Sequence, residues 1–159
     1  MFRRRHCGNH GFSLLELVIV VVIIGIIAAI AIPRLSRGSA GAADSALSGN
    51  LAVLRNALDL YAAEHDGKFP TLLNIEAQLT QFTDVFGAAQ PGKDATHIYG
   101  PYIRKVPPLP VGGNRGSTTF TDVLGGAGFG WFYDSTLGVV KANCPDAEVD
   151  ATGKKYNEY

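Results

Sequence analysis

Residues 11–32, GFSLLELVIVVVIIGIIAAIAI, limit this chain more than any other stretch. From Leu17 to Ile32 there is no charged and no polar side chain, only Gly25 among aliphatics, and Pro33 closes the run. At 1.5 Å rise per residue, a helix over residues 12–32 is about 30 Å long. That is the thickness of a bilayer's hydrocarbon core. A soluble domain of this size has no place for a helix that is apolar on every side. The segment is therefore a membrane span, a helix packed among like helices, or each in turn.

One residue breaks the pattern. Glu16 is a lone carboxylate inside the apolar run. An unpaired carboxylate there costs several kcal/mol, so it reads as a functional residue that needs a partner. The ordinary reading of an N-terminal apolar run is a cleavable secretory signal. Arg3, Arg4 and Arg5 fit its basic start and hold that end in the cytoplasm. The rest does not fit. The run is longer than a usual signal core, and Ile30-Ala31-Ile32-Pro33 is bulky where small residues are needed. A plain signal anchor also has no use for Glu16.

A short basic leader, Gly11, then Phe12-Ser13-Leu14-Leu15-Glu16-Leu17 and a long aliphatic helix resembles the class III signal of type IV pilins and type II secretion pseudopilins. The resemblance implies cleavage between Gly11 and Phe12 by a prepilin peptidase on the cytoplasmic face, and N-methylation of Phe12. It also implies that Glu16 pairs with the Phe12 amine of a neighbouring subunit during filament assembly. Physics agrees with that role, because a carboxylate in an apolar bundle is tolerable only beside a positive group. The implied fold is α+β and ladle-shaped, a long N-terminal helix packed on a small antiparallel β-sheet head. The implied division is a leader at 1–11, a transmembrane and filament-core half-helix at 12–33, an amphipathic half-helix at 34–66, and a head at 67–159.

Loss of the leader leaves 148 of the 159 residues. It takes three of the 14 basic side chains, so 11 face 14 acidic ones, a formal charge of −3. No basic face is evident, which argues against nucleic acid as a partner. Of the two cysteines, Cys7 goes with the leader and Cys144 remains alone. Cys144 reads as a small buried side chain. The mature chain then has no internal disulfide. This departs from many type IV pilins and favours the pseudopilin side of the family, or another clip.

Residues 34–50 are small and polar, with Gly38, Gly41 and Gly49 weakening a helix that Ala, Leu and Ser keep viable. They read as a soft continuation of the same helix, with a kink or freed backbone groups at Pro33. The resemblance places a bend or stretch between Gly25 and Pro33. Leu47, Leu51, Leu54, Leu58 and Tyr61 then recur at helical spacing, with Ala57 and Ala62 widening the stripe. Asp66-Gly67 is a stop signal, with Gly67 in the left-handed cap position. His65 reads as a capping or surface histidine, since no second histidine stands at metal-ligand spacing. The exit through Tyr61, Asp66-Gly67, Phe69-Pro70-Thr71 is similar to that of major pseudopilins.

Leu72, Ile75, Leu79, Phe82 and Phe86 predict a short second helix over residues 72–86. Residues 87–97 read as a loop with His97 exposed. Gly100-Pro101-Tyr102-Ile103-Arg104-Lys105-Val106-Pro107-Pro108-Leu109-Pro110 resembles a stretch of secretion-type pilins. Tyr102 to Val106 reads as a strand, followed by an extended prolyl path. A proline-rich ligand is the alternative.

Residues 111–128 read as a variable surface loop, with an edge strand at Thr118-Thr119-Phe120-Thr121. Phe129-Gly130-Trp131-Phe132-Tyr133 and Val139-Val140-Lys141-Ala142-Asn143 flank a turn and predict a hairpin. Its Trp131 and Tyr133 share one face, a core face rather than a sugar platform. Asp146, Glu148 and Asp150 alternate and could bind Ca²⁺ if the backbone loops round the ion. Major pseudopilins hold calcium in a C-terminal loop, although this spacing is not an EF-hand. In a strand the three would share one solvated face.

No catalytic constellation is present: no nucleophile elbow, phosphate loop or zinc spacing. The chain reads as a structural filament subunit, not an enzyme, most similar to the major subunit of a type II secretion pseudopilus. Its expected partners are the prepilin peptidase, an inner-membrane platform protein, an assembly ATPase acting indirectly, minor pseudopilins and identical subunits. Its expected place is the inner membrane, single-pass with the N-terminus cytoplasmic and the head periplasmic or extracellular. The alternatives are a surface type IV pilus subunit and an unprocessed membrane-anchored binding module.

Overall fold

A computed structural model describes residues 12–159; the leader, with Gly11, lies outside the described residues. The chain divides into two compact units, Met1–Ser39 and Ala40–Tyr159. Helix α1, Leu14–Glu64, contributes to both and is helical through Gly25 and Pro33. In the first unit, the stretch Leu14–Ile32 is long and apolar enough to cross a membrane, and the chain itself buries none of it.

The second unit is built on the other half of α1. Leu47, Leu51, Leu54, Leu58 and Tyr61 are each at most 3% exposed, as the period of the sequence predicts. They join Leu79, Leu109, Trp131, Tyr133 and Val140 in one core. The helix ends in a Schellman-type turn, with Gly67 N–H donating to the Ala62 carbonyl at 2.8 Å. The first left-handed residue is Asp66 (φ 57°), ahead of Gly67 (φ 75°), so the cap falls one residue earlier than the sequence predicts.

The sheet is mixed rather than purely antiparallel. Strands β4 (Trp131–Asp134) and β5 (Val139–Ala142) form the expected antiparallel hairpin. Strand β3 (Phe120–Thr121) pairs with β4 in parallel. Trp131 and Tyr133 are fully buried, and Phe132 takes the other face. Both buried aromatics find acceptors for their polar ends, the Trp131 indole on the Pro107 carbonyl and the Tyr133 hydroxyl on that of Pro70, each at 2.9 Å. Gly138 (φ 66°) closes the hairpin turn beneath the Phe69 ring, which a Cβ there would strike.

Two predicted elements differ. The second helix, α2, is confined to Ile75–Thr80. Gln81 is extended, Phe82–Thr83 becomes β1 paired with β2 (Ala89–Gln90), and Phe86 is 91% exposed at the turn between them. The apolar spacing of Phe82 and Phe86 is therefore not helical. The backbone leaves the helix at Gln81, and the Asp84 carboxylate holds the following turn by accepting from the Phe86 and Ala88 N–H groups. Tyr102 to Val106 is no strand: the Tyr102 and Ile103 N–H groups donate to the Leu79 carbonyl at 3.0 and 3.1 Å, satisfying the end of α2. The prolyl path beyond it drives Val106, Leu109 and Val111 into the core.

The packing sets an expectation for two neighbouring residues. Leu54→Ala should lower the unfolding free energy by about 2–5 kcal/mol. Val53→Ala, on the exposed side of the same turn, should change it by no more than about 0.5 kcal/mol. Chemical denaturation of the detergent-solubilised chain measures both, and equal losses would contradict the assignment of faces.

Candidate functional site

The N-terminal site begins at Ser13. Its Oγ accepts from the Glu16 N–H at 3.1 Å, and its carbonyl from the Leu17 N–H at 3.2 Å. Ser13 is thus the N-cap, and Glu16 stands at the third helical position. The pattern Ser13-Leu14-Leu15-Glu16 is that of a capping box, a signal that apolar periodicity alone overlooks. A carboxylate in the first turn is favoured by the exposed amide ends of the helix. Phe12, at the start, is 80% exposed, and Glu16 is exposed too. Nothing in the described chain partners the Glu16 carboxylate or covers the aliphatic surface that follows it.

The C-terminal half of α1 carries a second face that the described chain leaves uncovered. Opposite the core stripe lie Gly41, Ala42, Ser45, Gly49, Ala52, Val53, Asn56, Leu60 and Ala63, all exposed, with Asp59 the charged residue on the same face. Val53 and Leu60 are 48% and 57% exposed, seven residues apart.

The two sequence-predicted histidines are less exposed than expected. His65 is 3% exposed and stacks on Tyr61 with ring centroids 3.8 Å apart. Its Nδ1 lies 2.9 Å from the Tyr61 carbonyl, so the capping role holds and the surface role does not. Its Nε2 contacts the Asp84 carbonyl at 3.0 Å and Thr83 Oγ1 at 3.1 Å. Tertiary contact with β1, which the sequence does not mark, explains its burial. His97 is half-buried against Asp94, 3.0 Å away.

The C-terminal carboxylates each hold different partners. Asp146 receives the Lys155 ammonium and the Asn157 amide, each at 2.8 Å. Glu148 accepts from the Gly113 N–H at 2.8 Å, and its Oε2 is buried beside the Cys144 thiol without a well-aligned hydrogen bond. Asp150 accepts from Tyr159 OH, Thr152 and the Lys154 N–H. Among the described residues, no three His, Cys, Asp or Glu side chains are grouped as ligands of one ion. The residues as arranged do not fit the calcium loop that Asp146, Glu148 and Asp150 suggest in sequence. Nor do they share one solvated strand face, because Glu148 turns inward.

Cys144 is fully buried, as expected, and burial, followed by the Glu148 carboxylate, pushes its thiol up to about 12. The clip of this region is made of amides. Asn143, fully buried, donates to the Gly126 and Phe129 carbonyls at 2.8 and 3.0 Å and accepts from the Gly125 N–H at 2.7 Å. Asn114 bridges the Gly126 and Asn143 carbonyls at 2.9 Å each, and Asn157 donates to the Cys144 carbonyl at 3.1 Å. Asn143, buried and bonded at both ends, together with the half-buried Asn114 and the buried Asn157, ties these loops through backbone groups.

The hydrogen bond from Tyr159 to Asp150 holds the Asp150 carboxyl well below the usual carboxylate range, and that bond in turn raises the Tyr159 hydroxyl to about 12. Asp146 is lowered chiefly by its bond from Lys155. A carboxylate depressed in the folded state contributes stability above its unfolded value, near 3.9, that is lost as pH falls towards its folded value. Asp150→Asn should therefore be less stable than wild type at pH 7, with the gap narrowing as pH falls below about 4. Thermal melting across pH measures this, and a gap constant with pH would refute the role of the charge.

Residues 7–32 match the family model of the prokaryotic N-terminal methylation motif. The match takes in Gly11, Phe12, Glu16 and Gly25 and stops short of Pro33. No curated protein and no solved structure matches the chain. The chain thus carries, at its N-terminus, the methylation signal of type IV pilin-like proteins.

Proposed function

We propose that this protein is a structural subunit of a type IV pilus-like filament, processed between Gly11 and Phe12 and methylated on Phe12. The observation that carries this reading is the methylation motif over residues 7–32 joined to a span, Leu14–Ile32, that the chain leaves wholly uncovered. Before assembly the bilayer covers that surface, with the N-terminus cytoplasmic and the head beyond the membrane. In the filament, neighbouring helices cover it, and Glu16 takes the Phe12 amine of an adjacent subunit. The small and aliphatic residues exposed from Gly41 to Ala63, with Asp59 among them, let this packing continue along the C-terminal half of the helix. The bend or stretch that assembly requires falls between Gly25 and Pro33.

The filament we favour is the pseudopilus of a type II secretion system, a short fibre that drives protein export. Two features support it over a surface pilus: the lone buried Cys144, and the Tyr61 to Thr71 helix exit. The prepilin peptidase, an inner-membrane platform with its ATPase, and minor pseudopilins are the partners this assigns. The work is mechanical, and no enzymatic step is involved.

Processing has a direct readout. Alkylation in denaturant should label one cysteine per chain in the mature protein, since Cys7 leaves with the leader, and intact mass should lack residues 1–11. Two labelled cysteines would point to an unprocessed membrane-anchored module. Glu16→Ala should still insert and be processed but lower filament yield about tenfold or more, since losing about 1.4 kcal/mol of pairing is already a tenfold change. Wild-type yield from that variant would remove the assembly role of Glu16. Immunogold microscopy of sheared filaments separates the two fibre types: long labelled surface fibres would make the protein a surface pilin.

A further inference from the structure

Helix α1 starts at Leu14, and Phe12 and Ser13 lie outside it. Neither residue is glycine or proline, so their own preferences do not forbid a longer helix. One hydrogen bond sets the boundary. In a helix one turn longer, the Glu16 N–H would donate to the Phe12 carbonyl, four residues back. It donates instead to the Ser13 hydroxyl oxygen, at 3.1 Å. The ladder then begins at the Ser13 carbonyl, which takes the Leu17 N–H at 3.2 Å. Phe12 is left outside the ladder and 80% exposed.

This boundary falls two residues after the Gly11–Phe12 bond. The methylation motif over residues 7–32 independently marks this end of the chain as a place where enzymes act. Hydrolysis adds water across Gly11–Phe12 and leaves a carboxylate on Gly11 and an amine on Phe12. The attacked atom is the Gly11 carbonyl carbon. In a helix that took in Phe12, the Leu15 N–H would hold that carbonyl's oxygen. The bond would then have to unwind before a peptidase could engage it. The upstream sequence offers such a helix a place to start, because Gly11 and Asn9 are both competent N-caps.

We propose that Ser13 is a positioning residue for processing: its side chain ends α1 at Leu14 and so keeps the Gly11–Phe12 bond out of the helix, open to a prepilin peptidase. This rests on the processing reading above and names what in the chain's own structure exposes the bond. Ser13 touches no reacting atom in this role and acts through the Glu16 N–H. The role requires a capping residue at position 13, not a hydroxyl as such. Glycine caps almost as well as serine, whereas alanine loses the cap and favours the helix.

The test is the processing rate of the full-length chain, co-expressed with a prepilin peptidase and followed by pulse-chase and intact mass. Ser13→Ala should be processed about fivefold more slowly than wild type, the change that loss of a cap produces. Ser13→Thr and Ser13→Gly should stay within about twofold of wild type. Membrane insertion and melting of the head should be the same in all four proteins, since Ser13 is no part of the core. Ser13→Ala processed at the wild-type rate would overturn the role of the cap. Equal slowing of Ser13→Ala and Ser13→Gly would overturn it too, by showing that the peptidase needs the hydroxyl itself. Both results leave the filament reading intact. A wild-type chain that keeps residues 1–11 would overturn both.

Discussion

A helix surface that the chain cannot cover governs this protein. Leu17–Ile32 is aliphatic on every side, and the described chain buries none of the Leu14–Ile32 stretch. Exposed to water, a surface of that kind is strongly unfavourable, at roughly 25 cal/mol per Å². Lipid or other helices must therefore cover it. Glu16 makes the requirement sharper, because lipid satisfies the aliphatics and leaves the carboxylate unpaired. In the function proposed above, a bundle of processed subunits would supply both an apolar surround and an amine. The helix end also prepares the residue locally, since Ser13 caps the first turn and sets Glu16 where exposed amide groups favour negative charge.

The second half of the same helix resolves its amphipathicity inside the chain. The leucine stripe is covered by the β4–β5 hairpin and by the prolyl path that carries Val106, Leu109 and Val111. That path pairs with no strand, yet its carbonyls serve the core: Pro107 takes the Trp131 indole and Pro108 the Asn50 amide. Prolines donate nothing but accept normally, so the segment joins helix to sheet through its acceptors.

A stapled C-terminal region needs no sulfur here. Asn143, Asn114 and Asn157 close the glycine-rich loop and the tail with hydrogen bonds to backbone groups, while the carboxylates that suggested a metal are spent on Lys155, Asn157, Gly113, Thr152 and Tyr159. An alternating acidic pattern specifies charge density and says nothing of where each side chain turns. The turns over residues 144–159 decided that.

Local pattern alone determined the span, the place of Glu16, the core stripe from Leu47 to Tyr61 and the β4–β5 hairpin. These rest on periods of 3.6 and 2 and on turn residues a few positions apart, all written in neighbouring sequence. The end of α2 at Thr80 was not legible, because Phe82 and Phe86 keep helical spacing while pairing with residues 89–90 draws the chain into β1. The parallel entry of β3, the burial of His65 against Thr83 and Asp84, and the divergence of Asp146, Glu148 and Asp150 were likewise settled only by the folded chain. Each depends on a partner distant in sequence or on a backbone turn, and the geometry that brings such groups together exists only once the core has formed.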